Sequence, residues 1–451
     1  MRGLIAIAGA LGGCAATEHP CAWDGDCGPA ARVEDEDDTR PEAGRAEAVD
    51  PSECGDDGEC PADRPWCVAA GCRACAEVGG DAFCRQMGQA VCTPWGRCGA
   101  CDPASIGGCT DEAPYCADDF ACGGCTRQLD CGDAGCERAS GVCLEDYEVV
   151  WVDPHACGGM AIDGVTVPRC SLAQALAEIG QEGSATIRLA AADLPYRAPI
   201  VRTGGSLVID AEPGVVLAPD GDGVRVGEGA RLTLAGATIA AGPSATAIHL
   251  EGGQAWIEDV VIVGGMRGVV ARGGTVDLQR VRIEGTAREA IVADAGAEVS
   301  LVDTVVVHAA REPGAVAIDV VGARIGMRYC TVVDNGSASR TTLRCDADGS
   351  AVVRASIVAG ADSPAFACPD LHDEGSVLDH DGPLGRGSRA EPLWPPGFAD
   401  LVAGDVHLSP AGATRWAGLA RWQRGDPLSD ADGDPRTGVD LAFEHPGVDR
   451  P

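Results

Sequence analysis

The chain has 451 residues and a formal net charge of −35, with 24 cysteines, no lysine and a single asparagine, Asn335. That length supports two or three domains with a sizeable core. The charge argues against binding nucleic acid or an anionic membrane face, which would both repel it. The cysteine count argues against a reducing cytosol, and the missing lysine removes amine-base and Schiff-base chemistry.

Residues 1–13 open with Met1-Arg2 and continue as an apolar run from Gly3 to Leu11. This is the pattern of an export signal, too short for a bilayer span of about 20 residues. The run ends Leu11-Gly12-Gly13-Cys14, which resembles a bacterial lipobox. The resemblance implies cleavage before Cys14 and acylation of its thiol and new amine. With Ala15 rather than Asp next, it also implies the outer membrane or cell surface of a Gram-negative bacterium, with membrane contact through lipid alone. A buried apolar N-terminus with a chance cysteine is the competing reading. Residues 14–53 form an acidic tether around Glu34-Asp35-Glu36-Asp37-Asp38. So little there can pack that a solvated, self-repelling spacer is expected ahead of a loose calcium site.

From Cys54 to Cys143 there are 16 cysteines, defining a module over 54–146. Cys60, Cys67, Cys72 and Cys75 form one group; Cys84, Cys92, Cys98 and Cys101 the next; Cys109, Cys116, Cys122 and Cys125 a third. Cys131, Cys136 and Cys143 make a fourth that lacks its last member. Group starts advance by 24, 25 and 22 residues, an internal duplication. Few large apolar residues lie between, so the segment needs covalent staples. Cys-x-x-Cys pairs can also hold zinc, but an exported chain favours disulfides. Nothing resembles the βαβ setting of a redox motif. The repeat is similar to the short cysteine-rich modules of bacterial surface lipoproteins.

Over 147–410 the composition shifts to Val, Ile, Ala, Arg and Gly. One pattern recurs: apolar, x, apolar, two turn residues, small or apolar, x, apolar. It is filled by Leu232/Leu234/Ala237/Ile239, Ala255/Ile257/Val260/Ile262 and Val276/Leu278/Val281/Ile283. Val299/Leu301/Thr304/Val306, Ile325/Met327/Cys330/Val332 and Ala351/Val353/Ser356/Val358 continue it, at steps of 21 to 26 residues. Alternation at period two marks strands with one buried face. A third strand per coil shows as Val224/Val226, Ile248/Leu250, Val269/Ala271, Ile291/Ala293, Ile318/Val320, Leu343/Cys345 and Phe366/Cys368. Three short strands per coil predict a parallel β-solenoid of about seven coils, roughly 34 Å long at about 4.8 Å per coil.

The pattern resembles the right-handed parallel β-helix of the pectin-lyase-like superfamily. The order strand 149–153, loop Cys157 to Cys170, helix 171–179, strand 186–189 is similar to the N-terminal cap of exported members. A Cys157–Cys170 bridge is expected across that loop. Residues 411–451, with Asp430-Ala431-Asp432-Gly433-Asp434-Pro435-Arg436, look like the closing segment of the same superfamily. Enzymes of this fold cleave acidic polysaccharides with an Arg or Lys base beside calcium, or with three close aspartates and Gly-His-Gly and Arg-Ile-Lys motifs. The chain lacks Lys, Asn-Thr-Asp and Gly-His-Gly.

No residue is therefore assigned as catalytic or metal-binding. Asp259, Arg280, Asp303 and Tyr329 occupy the turn column of successive coils, expected as an exposed ladder worth under about 1 kcal/mol per pair. With Trp256, which alternates outward, they mark the possible ligand surface. The Asp370, His372, Asp373, Asp379, His380, Asp381 run reads as a solvated loop ahead of a metal site. Asp430, Asp432 and Asp434 mimic part of a calcium loop, but Leu441 stands where its bidentate Glu belongs. Trp394, Trp416 and Trp422 are expected to cover the terminal coil.

Cys345 and Cys368 share a column one coil apart, about 4.8 Å, within disulfide reach. Cys330 fills an inward slot and is expected as a free core thiol. The reading is a lipid-anchored surface protein, all-β, with a binding or structural role toward extracellular polysaccharide or an envelope protein, without a required cofactor. A polysaccharide lyase or hydrolase of the same fold is one alternative. An adhesin working through the cysteine-rich repeats is the other.

Overall fold

The computed structural model describes residues from Trp66 to Gly447, apart from short internal stretches of which 158–167, 102–108 and 334–340 are the longest. All of them belong to one compact unit, Pro51–Pro451. The export segment, Cys14, the tether, Cys54, Cys60 and Asp381 lie outside the described residues.

In the cysteine-rich module each repeat ends in a two-stranded antiparallel hairpin, whose strands set Cys67 opposite Cys72, Cys92 opposite Cys98, Cys116 opposite Cys122 and Cys136 opposite Cys143. Disulfides join Cys75–Cys92, Cys84–Cys98, Cys109–Cys122, Cys125–Cys136 and Cys131–Cys143. This corrects the repeat frame. The structural unit starts at the second cysteine of each Cys-x-x-Cys, as in Cys75, Cys84, Cys92 and Cys98. It pairs first to third and second to fourth. In that frame no repeat lacks a member. Helical turns at Cys75–Val78 and Asp81–Gln86 carry the first two cysteines, and the hairpin carries the other two.

The remaining chain winds into a parallel β-solenoid of three sheets. Sheet A has ten strands, from Glu148–Val152 to Asp370–Glu374; sheet B has nine, from Val216–Leu217 to Arg389–Ala390; sheet C has eight, from Ile200–Arg202 to Phe366–Ala367. A coil runs A, B, C, as in Arg231–Ala235, Thr238–Ala241 and Thr246–Glu251. Sheet C thus counts eight coils, one more than the sequence pattern. The strand the pattern missed is Ile200–Arg202, which opens sheet C; its coil has no sheet B strand, since sheet B begins only at Val216–Leu217, so the recurring bend pattern does not mark it.

The register stacks like on like. Leu232, Ala255, Val276, Val299, Ile325 and Ala351 form one inward column of sheet A. Ile239, Ile262, Ile283, Val306, Val332 and Val358 form that of sheet B. These side chains are at most 3% exposed and belong to one continuous core. Each buried Val, Leu or Ile contributes roughly 1.5–3 kcal/mol by leaving water.

At the A–B corner the inward slot is held by Ala237, Val260, Val281, Thr304, Cys330 and Ser356, all buried. Cys330 is a free thiol, and burial pushes it up to about 12. The hydroxyls there are satisfied along the rod: Cys330 N–H donates to Ser356 Oγ (3.0 Å), and Ser356 N–H to Ser376 Oγ (3.1 Å). One coil separates Cys345 from Cys368, and they are joined, with Cα atoms 4.4 Å apart. In the chain-entropy account a loop of this length contributes about 3 kcal/mol.

Helix Leu172–Ile179 buries Leu172 and Ala175 against the first strands of sheet A. Ser171 caps it by accepting from Gln174 N–H (3.2 Å), worth about 1 kcal/mol. Cys157 and Cys170 are bridged beside it. The C-terminal residues do something other than cover the terminal coil. Sheet B is apolar on its outer face as well, through Val305, Val307, Val333, Ile357 and Val377. Phe398, Leu401, Val406, Leu408 and Trp416 fold back along that wall and bury it. Arg282 and His308 bind the carbonyls of Gly404 (2.7 Å) and Leu401 (3.1 Å), fixing the returning chain.

Candidate ligand wall on sheet A

The column Asp259, Arg280, Asp303, Tyr329, Ala355 forms the A–B corner, and each residue has φ between 49° and 53°. Gly236 and Gly375 hold the same position in flanking coils, with φ of 78° and 59°. Left-handed backbone costs a non-glycine residue roughly 1 kcal/mol or more. The ladder offsets it, because each corner N–H donates to the next coil: Asp259 to Gln279 O, Arg280 to Val302 O, Asp303 to Arg328 O, Tyr329 to Arg354 O.

The expected exposed ladder exists only at its start. Arg280 forks onto Asp259 (Nε–Oδ1 2.6 Å, Nη2–Oδ2 2.9 Å) and reaches Glu258 (2.5 Å). Asp303 and Tyr329 are buried, at 1% and 0% exposure. The returning C-terminal segment covers them. Arg436 pairs with Asp303 and lies 4.0 Å over the Tyr329 ring. Tyr329 Oη–H donates to Asp426 (3.1 Å), which also takes Arg354. Burial raises the Asp303 carboxyl to about 7 in spite of Arg436, and burial likewise raises Tyr329.

Trp256 is not an open platform either. The outward column of sheet A runs Thr186, Val208, Thr233, Trp256, Asp277, Ser300, Gly326, Val352. The last cysteine-rich repeat lies on its first four members. Gly135 N–H donates to Thr186 Oγ1 (2.8 Å), and a Cβ on Gly135 would meet Val208 at 2.6 Å. Arg138 N–H reaches Thr233 Oγ1 (3.3 Å), and its guanidinium sits 4.5 Å above the Trp256 ring, 3.5 Å from Glu258.

Beyond Trp256 the wall is polar: Asp277, then buried Ser300, then Gly326, with Gln279 and Arg328 along one edge. Burial raises Asp277 to about 6, opposed by a hydrogen bond from Ser300 and by the charges of Arg328 and Arg138. Sequence reasoning missed Asp277. The available signal was a lone carboxylate at an outward mid-strand position in register with Trp256.

The other expected residues do not converge. Asp370 and His372 point outward from the last strand of sheet A, Asp373 accepts Gly385 N–H (2.9 Å), and His380 packs edge-on to Phe366. Asp430 Oδ1 accepts N–H from Asp432 and Asp434, while Asp432 contacts His407 (2.5 Å). Among the described residues, the only sets of three close ligand atoms are cysteines of the stapled repeats. Charges on the outer face of sheet C pair coil to coil: Arg225–Glu251, Arg272–Asp294 and Arg344–Asp319.

These features define a parallel β-solenoid with a disulfide-stapled module docked on one wall and a C-terminal strap on another. Comparison with protein-family models, curated proteins and solved structures finds no match.

Proposed function

We propose that this is an exported surface protein, lipid-anchored through Cys14 at the outer membrane of a Gram-negative bacterium, that binds extracellular polysaccharide and does not cleave it. Its rod is assigned to the right-handed β-helices of the pectin-lyase-like superfamily. The staples support export, since such pairs persist only in oxidising compartments. The observation that carries the binding role is the Asp277–Ser300–Gly326 strip. It holds a partly buried carboxylate that takes a hydrogen bond from Ser300 on the next strand, about 4.8 Å away, near the charges of Arg138 and Arg328, with Gly326 one strand further on. Polar groups at regular spacing on a rigid surface suit a sugar chain, which presents hydroxyls at a similar interval.

The test uses the full chain carrying Cys14→Ser, exported and oxidised, against neutral and acidic oligosaccharides by calorimetry. Binding that Asp277→Ala weakens at least tenfold, with an unchanged melting temperature, is the expected result. No binding to any glycan, or binding indifferent to Asp277, would overturn the reading. Turnover of a bound polymer would replace it with the lyase or hydrolase alternative.

A further inference from the structure

In the last cysteine-rich repeat the cysteines that face each other are not the ones that are bonded. Cys136 and Cys143 stand directly opposite in the antiparallel hairpin, yet Cys136 is joined to Cys125 and Cys143 to Cys131. Opposite residues of such a hairpin have Cα atoms about 4.5 to 5.5 Å apart, inside the span of about 4.4 to 6.8 Å that a disulfide bridges. The two bonds also abut, because the sulfurs of Cys125, Cys131 and Cys143 all lie within 4.8 Å of one another. Cys125, Cys131 and Cys136 are buried, and Cys143, beside the exposed Val142, is partly open to solvent. The rod holds the hairpin by contacts other than its staples. Gly135 N–H is fixed to Thr186 (2.8 Å), Arg188 donates to the carbonyls of Gly132 (3.0 Å) and Ala134 (3.2 Å), and Glu137 lies 3.7 Å from Arg231.

We propose that Cys143 is a thiol-exchange site, where attack by a small thiol re-pairs this repeat to Cys125–Cys131 and Cys136–Cys143 without net reduction. The incoming thiolate bonds to Cys143 Sγ, and the Cys131–Cys143 bond breaks with its electron pair on Cys131. The Cys131 thiolate bonds to Cys125 Sγ, its close neighbour, and the Cys125–Cys136 bond breaks with its electron pair on Cys136. The Cys136 thiolate faces Cys143 across the hairpin, bonds to its sulfur and expels the small thiolate. Two disulfides are present before and after, and the thiol is regenerated, so no oxidant or reductant is consumed. Before exchange, two bonds tie the chain ahead of Gly132 to the docked hairpin. Afterwards only the backbone joins them, and the contact of Cys125 N–H with Gly141 O (2.7 Å) loses its covalent support. Arg138, in the hairpin, stays over Trp256. The repeat thus acts as a thiol-sensitive joint between the rod and the beads ahead of it, whatever the wall binds.

The experiment exposes the full oxidised Cys14→Ser chain to substoichiometric reduced glutathione, quenches it with acid, alkylates free thiols and maps the disulfides without reduction. Cleavage at Arg127, Asp130, Asp133 and Arg138 separates the four cysteines of the repeat. Peptides joined by Cys125–Cys131 and by Cys136–Cys143 should grow one for one as the native pair is lost. Glutathione should be caught on Cys143 at early times, with no lasting gain in free thiols. The Cys143→Ser variant isolates the second step. Without any added thiol, part of it should hold Cys125–Cys131 with Cys136 free. A native pairing that survives glutathione, or its loss to free thiols alone, would overturn the joint. So would a first adduct on another cysteine of the repeat, or new bonds to cysteines of neighbouring repeats. A Cys143→Ser chain holding only Cys125–Cys136 would overturn the relay from Cys131.

Discussion

Arg436→Gln should remove the deepest anchor of the C-terminal strap. Asp303 and Arg436 are both buried, and breaking such a pair by deleting one partner costs about 3–5 kcal/mol. The pH dependence identifies the cause. The Asp303 carboxyl is raised from 3.8 to about 7, so the folded protein holds this proton more tightly than the unfolded chain does. Its contribution to stability is complete below about pH 4 and is lost as pH rises toward 7, roughly three units or about 4 kcal/mol. Above pH 7 the ionised Asp303 has Arg436 as its counter-charge. In the Arg436→Gln variant that counter-charge is gone, and stability should keep falling by about 1.4 kcal/mol per pH unit. Wild type and variant should therefore run nearly parallel below pH 7 and diverge above it. Asp303→Asn has no proton to lose and should flatten the slope between pH 4 and 7. Combined with Arg436→Gln, it should recover most of the loss at pH 8. Urea unfolding read by tryptophan fluorescence is the assay, since Trp416 and Trp422 are both buried in the strap. A cost under about 1 kcal/mol at pH 8, or one pH slope shared by wild type and Asp303→Asn, would refute the reasoning.

The repeat frame, carried to the remaining cysteines, predicts Cys54–Cys67, Cys60–Cys72 and Cys101–Cys116, with Cys330 reduced; mass mapping without reduction checks this, and a bond between repeats would break the frame. Cys14→Ser should release the protein from membranes into the soluble fraction, and unchanged fractionation with no lipid on the mature N-terminus would remove the anchor. Gly397→Ala should destabilise the strap by about 1–3 kcal/mol, because a Cβ there meets Trp416 at 2.5 Å. A full-strength melting transition would show that this contact yields easily.

The solenoid was readable because its core is a local repeat. Leu234, Ile257 and Leu278 announce a buried face by spacing alone, and the Cys345–Cys368 pairing follows from one coil of register. The environment of the corner column was not readable. Asp303 meets a partner 133 residues away and Arg354 one 72 residues away, and no local pattern marks either encounter. The same holds for Trp256, which reads as an outward ring until Arg138 is seen on top of it. Periodicity reports which way a side chain points. It is silent on what a distant segment lays over it.

The disulfides of the cysteine-rich repeats carry a different implication. In the described repeats every bond closes within its own set of four cysteines, and only the last repeat rests on the rod. A gene can therefore gain or lose one such bead without rewiring any other bond or touching the docked one. A coil of the rod has no such freedom, since its stacked neighbours share one core and the C-terminal strap packs across several coils at once. The length of the stapled module is thus open to change by simple duplication, while the solenoid it leads into is held constant.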